Sequence, residues 1–211
     1  MRTRIYDSLY NGLPLNITAK GHDGYYEEVL ATIYKVMTYM YDNCDNVFMA
    51  QFTLKYPADI SKQENESNLP ISRCCWNITR ALRAEGIFSM FVWAREQLSS
   101  ENPHYHLMLL VDGKRVQDIK GLSPMVDKYW QRCLKVQCRQ NLVYPSQYNV
   151  PPSGGFMINR DGPPYDNVVF KRCYQWGTYL AKSCSKQGRP PHINGYGSSQ
   201  IPAYPVNLLI S

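Results

Sequence analysis

Nowhere in its 211 residues does the sequence hold a run of about 18 apolar residues, so it offers no candidate membrane span. Its first residues, MRTRIYD, lack the apolar stretch of a secretory signal. The seven cysteines are odd in number, and positions 44, 74, 75, 133, 138, 173 and 184 contain no C-x-x-C pair. A disulfide framework and a cysteine-rich zinc site are therefore both disfavoured, and most of the thiols read as small core residues in a reducing compartment. No G-x-x-x-x-G-K-[ST] loop is present, so any unwinding of nucleic acid would fall to another protein. Acids are scarce in the second part of the chain. From residue 128 onward ten Lys/Arg meet only Asp161 and Asp166, whereas residues 1–127 hold 13 bases and 15 acids. Such asymmetry predicts contact with a polyanion, or at least a solvated basic surface.

What is present predicts one soluble globular domain: 44% hydrophobic and 19% charged residues, in a length suited to a single core. Seventeen tyrosines add rings able to stack on unpaired bases. The most informative stretch is 87–111, which reads as an antiparallel hairpin. Phe88, Met90, Val92 and Ala94 alternate with Ser89 and Trp93, a polar loop follows at 97–103, and the apolar run His104–Val111 returns. Side chains two apart on a strand share a face, so His104 and His106 stand side by side; on a helix they would diverge by about 200°. Two packed, hydrogen-bonded histidines are the bland reading of this pattern. The sharper one is a divalent metal site with open coordination positions. Glu96, at the end of the first strand, is the natural third ligand, with Glu101 in reserve and His192 behind it.

Around the hairpin, the periodicity predicts a helix over 24–41 with Asp23 as N-cap, a strand over 46–56 and a helix through Ile71, Cys75, Ile78 and Leu82 that Gly86 stops. Ser123-Pro124 signals a further helix start, with Val126, Tyr129, Cys133 and Val136 as its buried side. Phe156–Ile158 reads as a short edge strand and about 166–187 as a last helix; residues 1–23 read as irregular. The order predicts an α+β fold: a single domain with a mainly antiparallel central sheet and packed helices. It divides into an N-terminal extension and helix (1–45), the main domain (46–200) and a tail (201–211).

On the last helix, Val169, Cys173, Trp176, Leu180 and Cys184 form one stripe, and Arg172, Gln175, Tyr179, Lys182 and Lys186 form a polar one beside it. Tyr179 alone would pass for a residue at the border of the core. Together with a metal on His104 and His106 it suggests a reaction: the metal polarises a phosphate and the tyrosine attacks phosphorus, leaving a 5′-phosphotyrosyl link and a free 3′-hydroxyl. Lys182, one turn on, would favour the phenolate.

His-hydrophobic-His on a strand with Tyr-x-x-Lys late in the chain resembles the HUH endonuclease superfamily of replication initiators and relaxases. More closely, VWAREQ at 92–97, HYHLMLL at 104–110, YLAKS at 179–183 and GYGSS at 195–199 resemble the inovirus gene-II-like replication proteins, also described as the YagK/YfjJ C-terminal domain family. The resemblance runs from about residue 46 to 199 and departs at Thr53, where the family places an acid. It implies an HUH-like fold and a metal-dependent DNA nickase and religase that starts rolling-circle replication of a phage or mobile element. His104, His106 and Glu96 would hold Mg²⁺ or Mn²⁺, Tyr179 would be the nucleophile assisted by Lys182, and the polar set Arg172, Gln175, Lys186 and Arg189 would bind DNA. The partners expected are single-stranded origin DNA and a host helicase and polymerase, in a bacterial cytoplasm with no membrane role. Two alternatives stand beside this reading: a relaxase-like mobilisation nickase, and a catalytically silent nucleic-acid-binding regulator.

Overall fold

Three runs, 47–50, 90–94 and 107–111, are apolar at every position, which demands a sheet covered on both faces. The computed structural model describes residues 3–16, 24–57, 67–97, 102–137, 141–146, 150–184 and 192–203. Within them the chain forms β1 (Arg4–Ile5), β2 (Leu9–Tyr10), β3 (Leu13–Pro14), β4 (Tyr25–Tyr26), α1 (Glu27–Asn43), β5 (Asn46–Lys55), α2 (Leu69–Ala84), β6 (Ser89–Glu96) and β7 (His104–Asp112). It continues with α3 (Ile119–Leu134), β8 (Val143–Pro145), β9 (Gly155–Asn159), α4 (Val168–Gly177), a 3₁₀ turn (Thr178–Ala181) and β10 (Tyr196–Ser198).

The main sheet is antiparallel in the order β10-β6-β7-β5, with β8 and β9 sharing the far side of β5. Alternation sorts its side chains. Val47, Met49, Met90, Val92, Ala94, Met108 and Leu110 point into one core with α1 and α4. Phe48, Ala50, Phe52, Leu54, Tyr105, Leu107, Leu109 and Val111 point into a second core with α2 and α3. The result is a three-layer α+β domain whose sheet is dry on both sides.

Several boundaries differ from those the sequence predicts. Helix α1 begins at Glu27, after Tyr26, and has no side-chain cap; Asp23 lies outside the described residues. Helix α3 begins four residues before Ser123, because the Asp118 carboxylate accepts the Lys120 N–H at 2.9 Å and caps it there. Ser123 and Pro124 consequently lie inside the helix. Its buried stripe is Leu122, Val126, Trp130 and Leu134, with Tyr129 and Cys133 only half-buried beside it. Residues 4–14, expected to be irregular, supply β1, β2 and β3. Helix α2 ends as expected: Gly86, at φ +70°, lets the Ile87 N–H reach back to the Leu82 carbonyl at 2.9 Å.

The largest correction concerns the last helix, which stops at Gly177 rather than near 187. Thr178 donates its hydroxyl to the Gln175 carbonyl at 2.8 Å and accepts the Asn16 N–H at 2.9 Å. The chain then tightens into the 3₁₀ turn and runs extended at Lys182, which bridges Tyr25, while the Ser183 N–H bonds the Gly24 carbonyl at 3.1 Å. Backbone bonds to the N-terminal segment thus replace the next helical turn. Over the described residues, Arg172 to Lys182 do not form one continuous helical stripe.

Trp130 ties α3 to the strand that carries Thr53. Its ring is fully buried against Tyr56 and Tyr105, and its indole N–H donates to the Lys55 carbonyl at 2.7 Å. Trp130→Phe removes that donor and part of the ring, and should cost about 1–3 kcal/mol in urea unfolding followed by circular dichroism. A loss of less than about 0.5 kcal/mol would show that the bond does not hold the strand, since that is the range of an ordinary surface substitution.

Candidate metal centre and its tyrosine

The register of the β6–β7 hairpin sets Glu96 opposite His104 and Ala94 opposite His106. On the other side of β7, Thr53 of β5 pairs with His106. Glu96, His104, His106 and Thr53 therefore share the sheet face that, further along, is buried under α1 and α4. The methyl group of Ala94 lets the Glu96 carboxylate reach diagonally across it: Oε2 lies 3.3 Å from His104 Nε2 and 3.0 Å from His106 Nε2. The imidazoles meet edge to face with centroids 5.1 Å apart. The Glu96 side chain is 5% exposed, that of His106 16% and that of His104 33%, so the cluster opens to solvent at His104.

Thr53 sits beside the ring of the histidine it pairs with. Its hydroxyl lies 3.3 Å from His106 Nδ1. With Nδ1–H donating to this oxygen, Nε2 carries the lone pair and faces Glu96 and His104. Two residues along the same face, Gln51 is buried, and its Nε2 has no hydrogen-bond partner among the described residues. A glutamine alternating with apolar residues reads in the sequence as facing water, so nothing there marked it.

The 3₁₀ turn after α4 brings a ring to the cluster. Tyr179 packs edge-on against His106 with centroids 5.1 Å apart, and Lys182 Nζ lies 4.2 Å above the Tyr179 ring centroid. Burial, and then the charge of Glu96, push the Tyr179 phenol up to about 12, so near neutrality it holds its proton. Burial moves Lys182 the other way, below the usual lysine range. Lys182 is 8% exposed, whereas the sequence suggested a solvated ridge.

Glu96, His104, His106, Tyr179 and Lys182 are thus brought together from three separate elements. Arg172 and Gln175 are engaged elsewhere: the Arg172 guanidinium lies 4.9 Å over the Phe156 ring, and the Gln175 amide donates to the Leu15 carbonyl at 3.2 Å. Glu101, Lys186 and Arg189 lie outside the described residues, and His192 is exposed beyond them. Tyr174, five positions before Tyr179, is fully buried in the α1–α4 core.

Two imidazoles and one carboxylate form a donor set that suits a divalent metal, and their ligand atoms all lie within 4.8 Å of one another. The measured 3.0 and 3.3 Å are the separations of neighbouring ligands around one ion held at about 2.0–2.2 Å. The residues present fit the group. Metal binding should raise the thermal midpoint, with a chelator reversing it. Thr53→Val should weaken affinity by about 10- to 100-fold through loss of the ring's outer bond, and Glu96→Gln by more. Calorimetric titration with Mn²⁺ or Zn²⁺ reads both; unchanged affinity in Glu96→Gln would remove Glu96 from the ligand set.

No curated protein matches the sequence. Among solved structures, one similar chain is the N-terminal nuclease domain of non-structural protein 1 of minute virus of mice, described as having a unique Zn²⁺ coordination in its active-site pocket and a novel mode of DNA recognition at the origin of replication. The two share 15% identity at a TM-score of 0.38, over 83% of this chain and 91% of that one. The comparison that covers almost the whole sequence is with a family: the YagK/YfjJ C-terminal domain matches residues 8–199, and this chain belongs to that family.

Proposed function

We propose that the chain is a metal-dependent endonuclease of the HUH type, which nicks and rejoins one DNA strand through a single tyrosine and so initiates rolling-circle replication of a phage or mobile element. The observation that carries this reading is the packing of the Tyr179 ring against His106, one member of the Glu96–His104–His106 set. Membership of the YagK/YfjJ family and the resemblance of four sequence blocks to gene-II-like replication proteins support it.

In this mechanism a phosphodiester approaches from the open, His104 side. Glu96, His104 and His106 would hold a divalent ion, Mg²⁺ or Mn²⁺, which would supply Lewis-acid stabilisation of charge on the non-bridging phosphate oxygens. Tyr179 Oη forms a bond to phosphorus while the bond to the 3′ oxygen breaks, and that oxygen takes a proton as the phenol loses one. The products are a 5′-phosphotyrosyl link and a 3′-hydroxyl; attack by a 3′-hydroxyl on the link reverses the step and reseals the strand. With the phenol up at about 12, Tyr179 needs a cation beside it, and the Lys182 ammonium against its ring is that cation. Arg172, Gln175, Lys186 and Arg189 contact the DNA in this proposal. Single-stranded origin DNA is the substrate, and a host helicase and polymerase in the bacterial cytoplasm are the partners.

Tyr179→Phe deletes one oxygen and should abolish nicking of origin single-stranded DNA with metal affinity unchanged. Tyr174→Phe should keep nicking. Lys182→Ala should slow it by about 10²-fold or less, because its charge assists the attack without performing it. Peptide mass spectrometry after the reaction reads the answer, with the nucleotide expected on Tyr179. An adduct on another tyrosine, or full nicking by Tyr179→Phe, would refute the assignment. The raised phenol is also what a silent DNA-binding relative would show, and absence of any adduct with every metal and origin strand tried would favour that second reading.

A further inference from the structure

Helix α2 turns a second stripe away from the core. Ser72, Trp76, Arg80 and Arg83 follow one another at helical spacing over about 16 Å, and all four are exposed. Trp76 is 56% exposed, the other tryptophans 9% or less, and the Arg80 guanidinium lies over its ring at 4.9 Å. An indole left in water on a helix that already buries Ile71, Cys74, Cys75, Ile78 and Leu82 is not needed for packing. The stripe forms one wall of a groove of ≈ 770 Å³, with Phe91 of β6 and the strand β10 opposite. Gly197 keeps that strand close, because a Cβ there would lie 2.5 Å from the Trp93 indole.

Charge and position define the occupant. Among the described residues lining the groove there are two arginines and no carboxylate. The exposed indole and guanidinium are planar stacking surfaces, suited to a base and to the phosphates on either side of it. Tyr196, at the rim, pairs with Ala94, and Ala94 pairs with His106, so rim and metal set lie on one row across three strands. Two interstrand spacings put Tyr196 about 10 Å from His106 along that row. The histidines lie on the α1–α4 face of the sheet and the groove on the α2 face, so a strand held at the histidines reaches the groove only by passing around the β10 edge.

We propose that this groove binds an unpaired stretch of DNA, with a base stacked on Trp76 and phosphates held by Arg80 and Arg83. The choice of DNA over RNA rests on the nickase reading; the groove itself does not. The test is fluorescence anisotropy with labelled oligothymidylate in excess chelator, where no cleavage is needed. Trp76→Ala should weaken binding about 5- to 150-fold. Arg80→Gln with Arg83→Gln should lower the salt slope of log K by about 1.4. Both losses should persist in a His106→Ala background, and circular dichroism should show all variants folded. If they do while the unsubstituted protein, supplied with metal and origin single-stranded DNA in a separate reaction, forms no adduct on Tyr179, this proposal stands and the nickase reading fails. Unchanged affinity and slope in the groove variants would overturn it. So would tighter Trp76-dependent binding of oligouridylate, or displacement of the DNA by polyglutamate with no dependence on Trp76.

Discussion

The register of one hairpin carries the functional end of this molecule. Glu96 opposite His104 puts a buried carboxylate between two imidazoles, and a slip of one residue on either strand would turn one partner to the opposite face. The register is held from below: Val92, Ala94, Met108 and Leu110 must enter one core, and Trp93, Leu107 and Leu109 the other. With both faces dry, every residue of the hairpin votes for the same alignment. The polar cluster is where this apolar sheet ends, so its geometry is inherited from packing it does not itself provide.

Placing Tyr179 depends on a different and more distant constraint. A continuous helix would carry its side chain onward along the polar ridge. Bonds from Asn16 to Thr178, from Ser183 to Gly24, and across the Tyr25–Lys182 bridge instead pull the chain into a tight turn over the sheet. Leu13 and Leu15, buried in the core that α1 and α4 share, anchor the segment that makes those bonds. The N-terminal strands therefore help to shape the end of the chain on which the tyrosine sits.

Burial of that turn sets the electrostatics. The same desolvation raises the Tyr179 phenol and lowers the Lys182 amine, pushing a weak acid and its neighbouring base apart on the pH scale and disfavouring the charge-separated pair. Glu96 adds to the first shift, so a cation at the carboxylate would relieve it.

Much of this is legible in the sequence alone. Alternation marked β5 and β6, an apolar run marked β7, and a period of two put Glu96, His104 and His106 on one face, because strand geometry dictates it. The α+β class followed from the order of elements, and Gly86 announced the end of α2 through its backbone freedom. Local signals misled where another group competed for the same backbone: Asp118 capped α3 ahead of Ser123-Pro124, and its buried stripe shifted to Trp130. The sequence could bring Tyr179 only as far as a late polar stripe. Its contact with His106, the burial of Lys182, the Thr53 bond to the ring and the Trp76 groove arise between segments up to about 160 residues apart. Period and propensity describe neighbours along the chain, whereas these contacts exist only once the two cores have closed around the sheet.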